Sequence, residues 1–190
     1  MSIDYFPFRR FIFDATNSTY GNNEGELYCY SNGMEVFGPD DRPIVGGDTI
    51  MYGEYWRNSV SRHTGDRYGF RIFQGSIMLP ILTDGGITVY VFTTFADADI
   101  SESTSIWYAT IDTECNDGKG CVTSKDNVLI DARVKDGIIH ACRHANGRDW
   151  WLFAVNADGT TYYTFLLDPS GVRHLHTQQV GRVTSDVSSG

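Results

Sequence analysis

Three absences narrow what this 190-residue chain can be. No apolar run approaches the roughly 18 residues a helix needs to span a bilayer, so membrane insertion by a helix is not expected. There is no basic cluster. The 15 lysines and arginines stand against 24 acidic residues, a formal charge of −9, which makes nucleic acid and anionic membrane surfaces poor partners. Chemistry-bearing motifs are also missing: no CxxC spacing for zinc, and no Gly-x-Ser-x-Gly, His-Glu-x-x-His, P-loop or dinucleotide fingerprint. No cofactor is expected, and no catalytic residue can be named.

Helical periodicity is nearly absent too. Only Met51 to Val60 reads as a short helix. The first residues, Met1 to Pro7, lack a charged stretch followed by an apolar one, so no signal peptide is read.

What is present is strand grammar. Hydrophobic residues make up 41% of the chain and aromatics 14%, enough for a packed core and too much for disorder. The densest passage is Ile138 to Gly171. Ile138 to His144 reads as a strand, Asn146-Gly147 as a hairpin turn, and Trp150 to Val155 as the next strand. Thr161 to Leu167 and Val172 to Val180 follow, separated by the turns Asn156–Gly159 and Asp168–Gly171.

Earlier strands are expected at Arg9 to Ala15, Glu26 to Tyr30, Met34 to Phe37, Gln74 to Leu82, Ile87 to Phe95, Ser105 to Asp112 and Val128 to Ile130. Thr16 to Gly25 reads as a loop. Glu26-Leu27-Tyr28, Ile87 to Tyr90 and Trp150 to Phe153 recur about 61 and 63 residues apart. A fixed period signals a repeat architecture, and four strands per period suit β-propeller blades.

The expected fold is therefore all-β: a partial β-propeller of about two and a half to three four-stranded antiparallel blades with long loops. The units run roughly 9–70, 71–131 and 132–182, with a polar tail or linker at 183–190. Closed propellers typically need four to eight blades. The chain is thus expected to be a segment of a longer polypeptide, or to have its open face covered by another chain. Trp150 to Val155 is apolar at nearly every position, which predicts burial of both its faces.

Four patches carry a resemblance. They are Leu27 to Gly33, Gln74 to Pro80, Ala141 to Trp151 (Ala-Cys-Arg-His-Ala-Asn-Gly-Arg-Asp-Trp-Trp) and Phe165 to Val172. In this order and spacing they resemble the N-terminal propeller of large secreted surface proteins of Bacteroidetes-type bacteria. Those proteins carry a C-terminal type IX secretion sorting domain, often of the gliding-motility-associated kind. The resemblance covers roughly residues 25–180. It implies a WD-repeat-like propeller outside the cell or on its outer surface, and brings no catalytic residues.

The remaining signals are local. Cys115 and Cys121 bracket a short polar loop that a disulfide would staple, and Cys29 and Cys142 sit in apolar strand patterns as small buried hydrophobes. Asp97, Asp99 and Glu102 sketch a calcium loop without the full pattern. His174 and His176 alternate on one strand and are expected to share a face. Around the Asn146-Gly147 turn, His144 and Arg148 are candidate ligand groups, against the plainer reading that such residues hold the turn.

Two functions compete. The first is a non-enzymatic propeller that binds other protein chains or the remaining blades of a longer polypeptide, as a scaffold or assembly component. The second is a carbohydrate-binding or carbohydrate-cleaving propeller, with Trp56, His63, Asp66 and Arg67 near the glycan.

Overall fold

The computed structural model describes residues 13–57, 69–95 and 105–181. It is all-β, built from antiparallel sheets. The first sheet holds β1 (Ser18–Gly21), β2 (Leu27–Ser31) and β3 (Val36–Phe37). The second is a four-stranded meander of β4 (Ser76–Thr83), β5 (Gly86–Phe95), β6 (Ser105–Asp112) and β7 (Cys121–Ile130). The third is a meander of β8 (Val134–Arg143), β9 (Trp150–Asn156), β10 (Thr161–Asp168) and β11 (Gly171–Gln179).

Period-two side-chain alternation explains how the sheets stack. From β5, Val89, Val91 and Phe95 pack on Cys29, Met34 and Val36 of the first sheet and its loops. Phe92, from the opposite face, packs on Ile139, Leu152, Ala154 and Phe165 of the third. The second sheet is thus covered on both faces. Each fully buried Leu, Ile or Phe side chain here contributes about 1.5–3 kcal/mol. The first and second sheets are also tied at polar points. Ser18 and Ser76 share a buried hydroxyl hydrogen bond of 2.9 Å, and Val122 N–H donates to Val45 O at 2.8 Å.

The Ser31-Asn32-Gly33 turn fixes the loop between the first two sheets. Asn32 Oδ1 accepts from Met34 N and Glu35 N, while Asn32 O accepts from Phe70 N. Gly69 closes this contact at φ +73, where an added Cβ would meet Asn32 O at 2.5 Å. Only glycine fits both the left-handed backbone and the space.

Several expectations need correcting. Ser18–Gly21 is a strand rather than loop, because it pairs with β2 from Ser18↔Ser31 onward. Residues 13–15 are not strand, and the rest of the expected Arg9–Ala15 strand lies outside the described residues. The short strand expected at Val128 to Ile130 is the end of a ten-residue β7 that starts at Cys121. The expected helix is a single turn at 54–57 among the described residues. Trp150 to Val155 is not buried at every position: Phe153 is 38% exposed, although on the same side Trp151 is half-buried and Val155 is buried. Cys29 is buried as expected, but Cys142 is exposed. His174 and His176 do not share a face, because a register shift at Thr164/Phe165 sets His174 opposite the buried Phe165 and His176 opposite Thr164.

Candidate functional site

The turn at residues 143–149 shows why its charged groups cluster. Gly147 takes φ +73, but Asn146 does not share a positive φ. The connection is therefore a longer loop, closed by His144 N donating to Asp149 O, rather than the two-residue Asn-Gly turn. Asn146 Oδ1 accepts the amides of Arg148 and Asp149, both at 3.0 Å, and its Nδ2 donates to Asp149 Oδ2 at 2.7 Å. The Arg148 guanidinium donates to the same buried carboxylate at 2.7 Å. This hydrogen bond, with help from Asn146, holds the Asp149 carboxyl below the usual range against the opposing effect of burial. His144 Nδ1 accepts from Asn146 N, and its ring lies 5.1 Å from that of Trp151. His144 and Arg148 are thus committed to the turn itself.

The two tryptophans have separate tasks. Trp150 turns inward: its indole N–H donates to Pro80 O of β4 at 2.7 Å, and the Arg143 guanidinium sits 4.2 Å over its ring. Trp151 turns outward. On that outer face Trp151 neighbours Cys142 and Leu166, Phe153 neighbours His140 and Thr164, and Tyr162 neighbours Val155. Phe153 is 38% and Tyr162 42% exposed. The face carries Trp, Phe and Tyr, rimmed by His140, Arg173 and His176.

Charge is distributed unevenly along the stack. Residues 13–57 hold eight carboxylates and two arginines. Residues 132–181 hold four carboxylates, five lysines and arginines, and four of the five histidines. One end of the stack is acidic, while the aromatic-faced end is close to neutral.

Trp56 lies on the helical turn, 5.2 Å from Tyr52 and packed against the first core. Its role is largely packing. His63, Asp66, Arg67 and the Asp97–Glu102 segment lie outside the described residues. Groups of three or more His, Cys, Asp or Glu suited to a metal ion do not occur among the described residues. No helix in the described residues is long and apolar enough to cross a membrane.

A cleft of about 540 Å³ opens at the seam between the first two sheets. Three short segments wall it: 22–28, 38–45 and 116–119. Each is held in place locally. Asn22 Oδ1 accepts from the amides of Glu24 and Glu26, and its Nδ2 donates to Glu26 Oε2. Asp40 Oδ1 accepts from Arg42 N, and Tyr30 Oη donates to Asp41 at 2.6 Å. Cys115 and Cys121 are disulfide-bonded, closing the third wall. Within it Asn116, Asp117 and Gly118 all take positive φ, which these residue types tolerate best.

Tyr28 spans the seam, donating to Thr113 O at 2.7 Å and to Gly118 O at 3.0 Å. Burial is the main cause that pushes its phenol up to about 12, so it remains a neutral donor. None of Trp56, His144 and Arg148 lines this cleft. Sequence reading missed it because its residues look like separate turn caps, brought together from three loops. The cysteine pair was the one signal pointing there.

Comparison with protein-family models, with curated proteins and with solved structures finds no match to this chain. The geometry of its own surfaces therefore carries the functional argument.

Proposed function

We propose that this chain is part of a β-propeller that acts without catalysis as a protein-binding scaffold outside the cell or on its outer surface. The setting follows the resemblance to secreted Bacteroidetes-type proteins. The blade reading is supported by the placement of the first strands. β1 lies against β4, and β4 against β8, as strands lining a propeller axis do, while β7 and β11 sit at the sheet margins.

The observation that carries the binding role is the outer face of the third sheet. A sheet side bearing Trp151, Phe153 and Tyr162 is the kind of aromatic surface that protein interfaces favour. Residues 132–181 carry five lysines and arginines against four carboxylates, and so complement the acidic first-sheet end of a second copy better than another acidic end would. Arg173 of the rim is itself paired with Asp168. Head-to-tail stacking of copies through unlike surfaces builds an open assembly.

Sedimentation equilibrium across low to high micromolar concentration tests this. The expected result is an apparent mass that rises with concentration, falls with added salt, and returns to that of the monomer in Phe153→Glu. A monomer at every concentration refutes the proposal.

A further inference from the structure

We propose that the seam cleft is a binding site for a neutral saccharide. The site lies on a different surface from the aromatic face, so either reading can fail alone.

The chemistry of the walls selects the ligand class. Leu27, Pro39, Pro43 and Val45 line the cleft with apolar surface, and Leu27 and Val45 are 46% and 56% exposed. Glu26 and Asp40 supply carboxylate acceptors beside the donors Arg42 and Lys119. The two signs balance. An anionic ligand meets Glu26 and Asp40, and a cationic one meets Arg42 and Lys119. A purely apolar ligand would leave most of the hydrogen-bonding capacity of these four charged groups unused. A hydroxyl both donates and accepts, so a polyol can satisfy carboxylates and cations side by side while its C–H face covers the apolar lining.

An extended peptide has the same mixed capacity, but it needs an open strand edge for main-chain pairing. That edge is compromised here. Pro39 and Pro43 lack N–H groups, Pro43 already bridges to Phe37, and Val45 bridges to Cys121. The cleft volume of about 540 Å³ falls in the ordinary range for small-ligand sites. The capped turns and the disulfide hold its three walls before any ligand arrives, which lowers the ordering cost of binding.

The test uses an array of neutral oligosaccharides built from glucose, galactose, mannose and N-acetylglucosamine. Isothermal titration of the best binder follows, against the full chain and two variants. Arg42→Ala removes a donor, and Glu26→Gln keeps the hydrogen bond from Asn22 while removing the charge. The expected result is saccharide binding weakened at least about tenfold in Arg42→Ala, the loss of a charged hydrogen bond. A smaller loss is expected in Glu26→Gln. Both variants should keep the parent's melting temperature, and Phe153→Glu should bind the saccharide like the parent. Three outcomes overturn the proposal: no array member binding, binding indifferent to both cleft substitutions, or displacement of the saccharide by short unstructured peptides.

Discussion

The second and third sheets have the same plan and opposite fates. Each is a four-stranded antiparallel meander whose second strand is a run of apolar residues, Ile87 to Phe95 in one and Trp150 to Val155 in the other. In β5 both sets of alternating side chains are buried, one against the first sheet and one against the third. In β9 Trp150, Leu152 and Ala154 pack into the core between the sheets, while on the other side Val155 is buried but Phe153 is exposed. The two strands spell similar messages, and the difference lies in their neighbours. The exposed ring of Phe153 on β9 has no counterpart on β5, where Phe92 is fully buried.

The strongest way to break that comparison is to remove a ring from each sheet. Phe92→Ala empties a site with no exposure between the second and third sheets and is expected to cost about 3–5 kcal/mol of unfolding free energy. Phe153→Ala is expected to cost about 1 kcal/mol or less. Urea denaturation of both variants at one dilute concentration measures the contrast. Equal losses would show that the outer face of β9 is packed after all.

The paired tryptophans sharpen the same contrast at smaller scale. Trp150→Phe removes the donor to Pro80 O and leaves that carbonyl unsatisfied, at an expected cost of about 1–2 kcal/mol. Trp151→Phe on the outer face is expected to change stability by about 0.5 kcal/mol or less. Thermal melts of the two variants, in dilute solution, decide it. A larger effect at Trp151 would reverse the assignment of faces.

The smallest effect is an acid response in the third sheet's turns. Asp149 is held down chiefly by Arg148, Asp158 by Thr160 and Asp168 by Ser170. Each has a folded pKa below its ordinary value of 3.8. The stability they add is fully present above that value and is lost as pH falls through the lower folded values. Amide exchange is expected to show protection of the turns at 144–149, 156–160 and 168–171 falling below about pH 4. Unchanged protection in that range would mean these carboxylates contribute nothing to the turns.

Legibility in the sequence followed local chemistry. Strands β5, β6, β9 and β10 were readable because aromatic and β-branched residues at alternating positions leave few other conformations. The hairpin around Asn146-Gly147 was readable as a turn between two strands, but its width was not: the loop closes between His144 and Asp149. β1 was not readable. Ser18, Thr19, Tyr20 and Gly21 have loop-like chemistry, and pairing with β2 makes them a strand. β7 was hidden for a similar reason: Lys125, Asp126 and Asn127 interrupt it, and the loop at 45–52 supplies its outer partners through Val45 O and Tyr52 N. The pairing of Cys115 with Cys121 was visible as spacing, but the cleft beside it was not, because its other walls lie about 70 or more residues earlier in the chain.

The sequence by itself determined that this protein is all-β, where most of its strands begin and end, and that a hairpin turn joins Arg143 to Trp150. Those features depend on contacts between residues only a few positions apart. Tertiary structure decided which apolar faces are covered, which histidines face which way and where a cleft opens. A buried face, a bulge-shifted register and a seam all depend on what a distant strand places opposite, and alternating side chains look the same whether or not a neighbour is there.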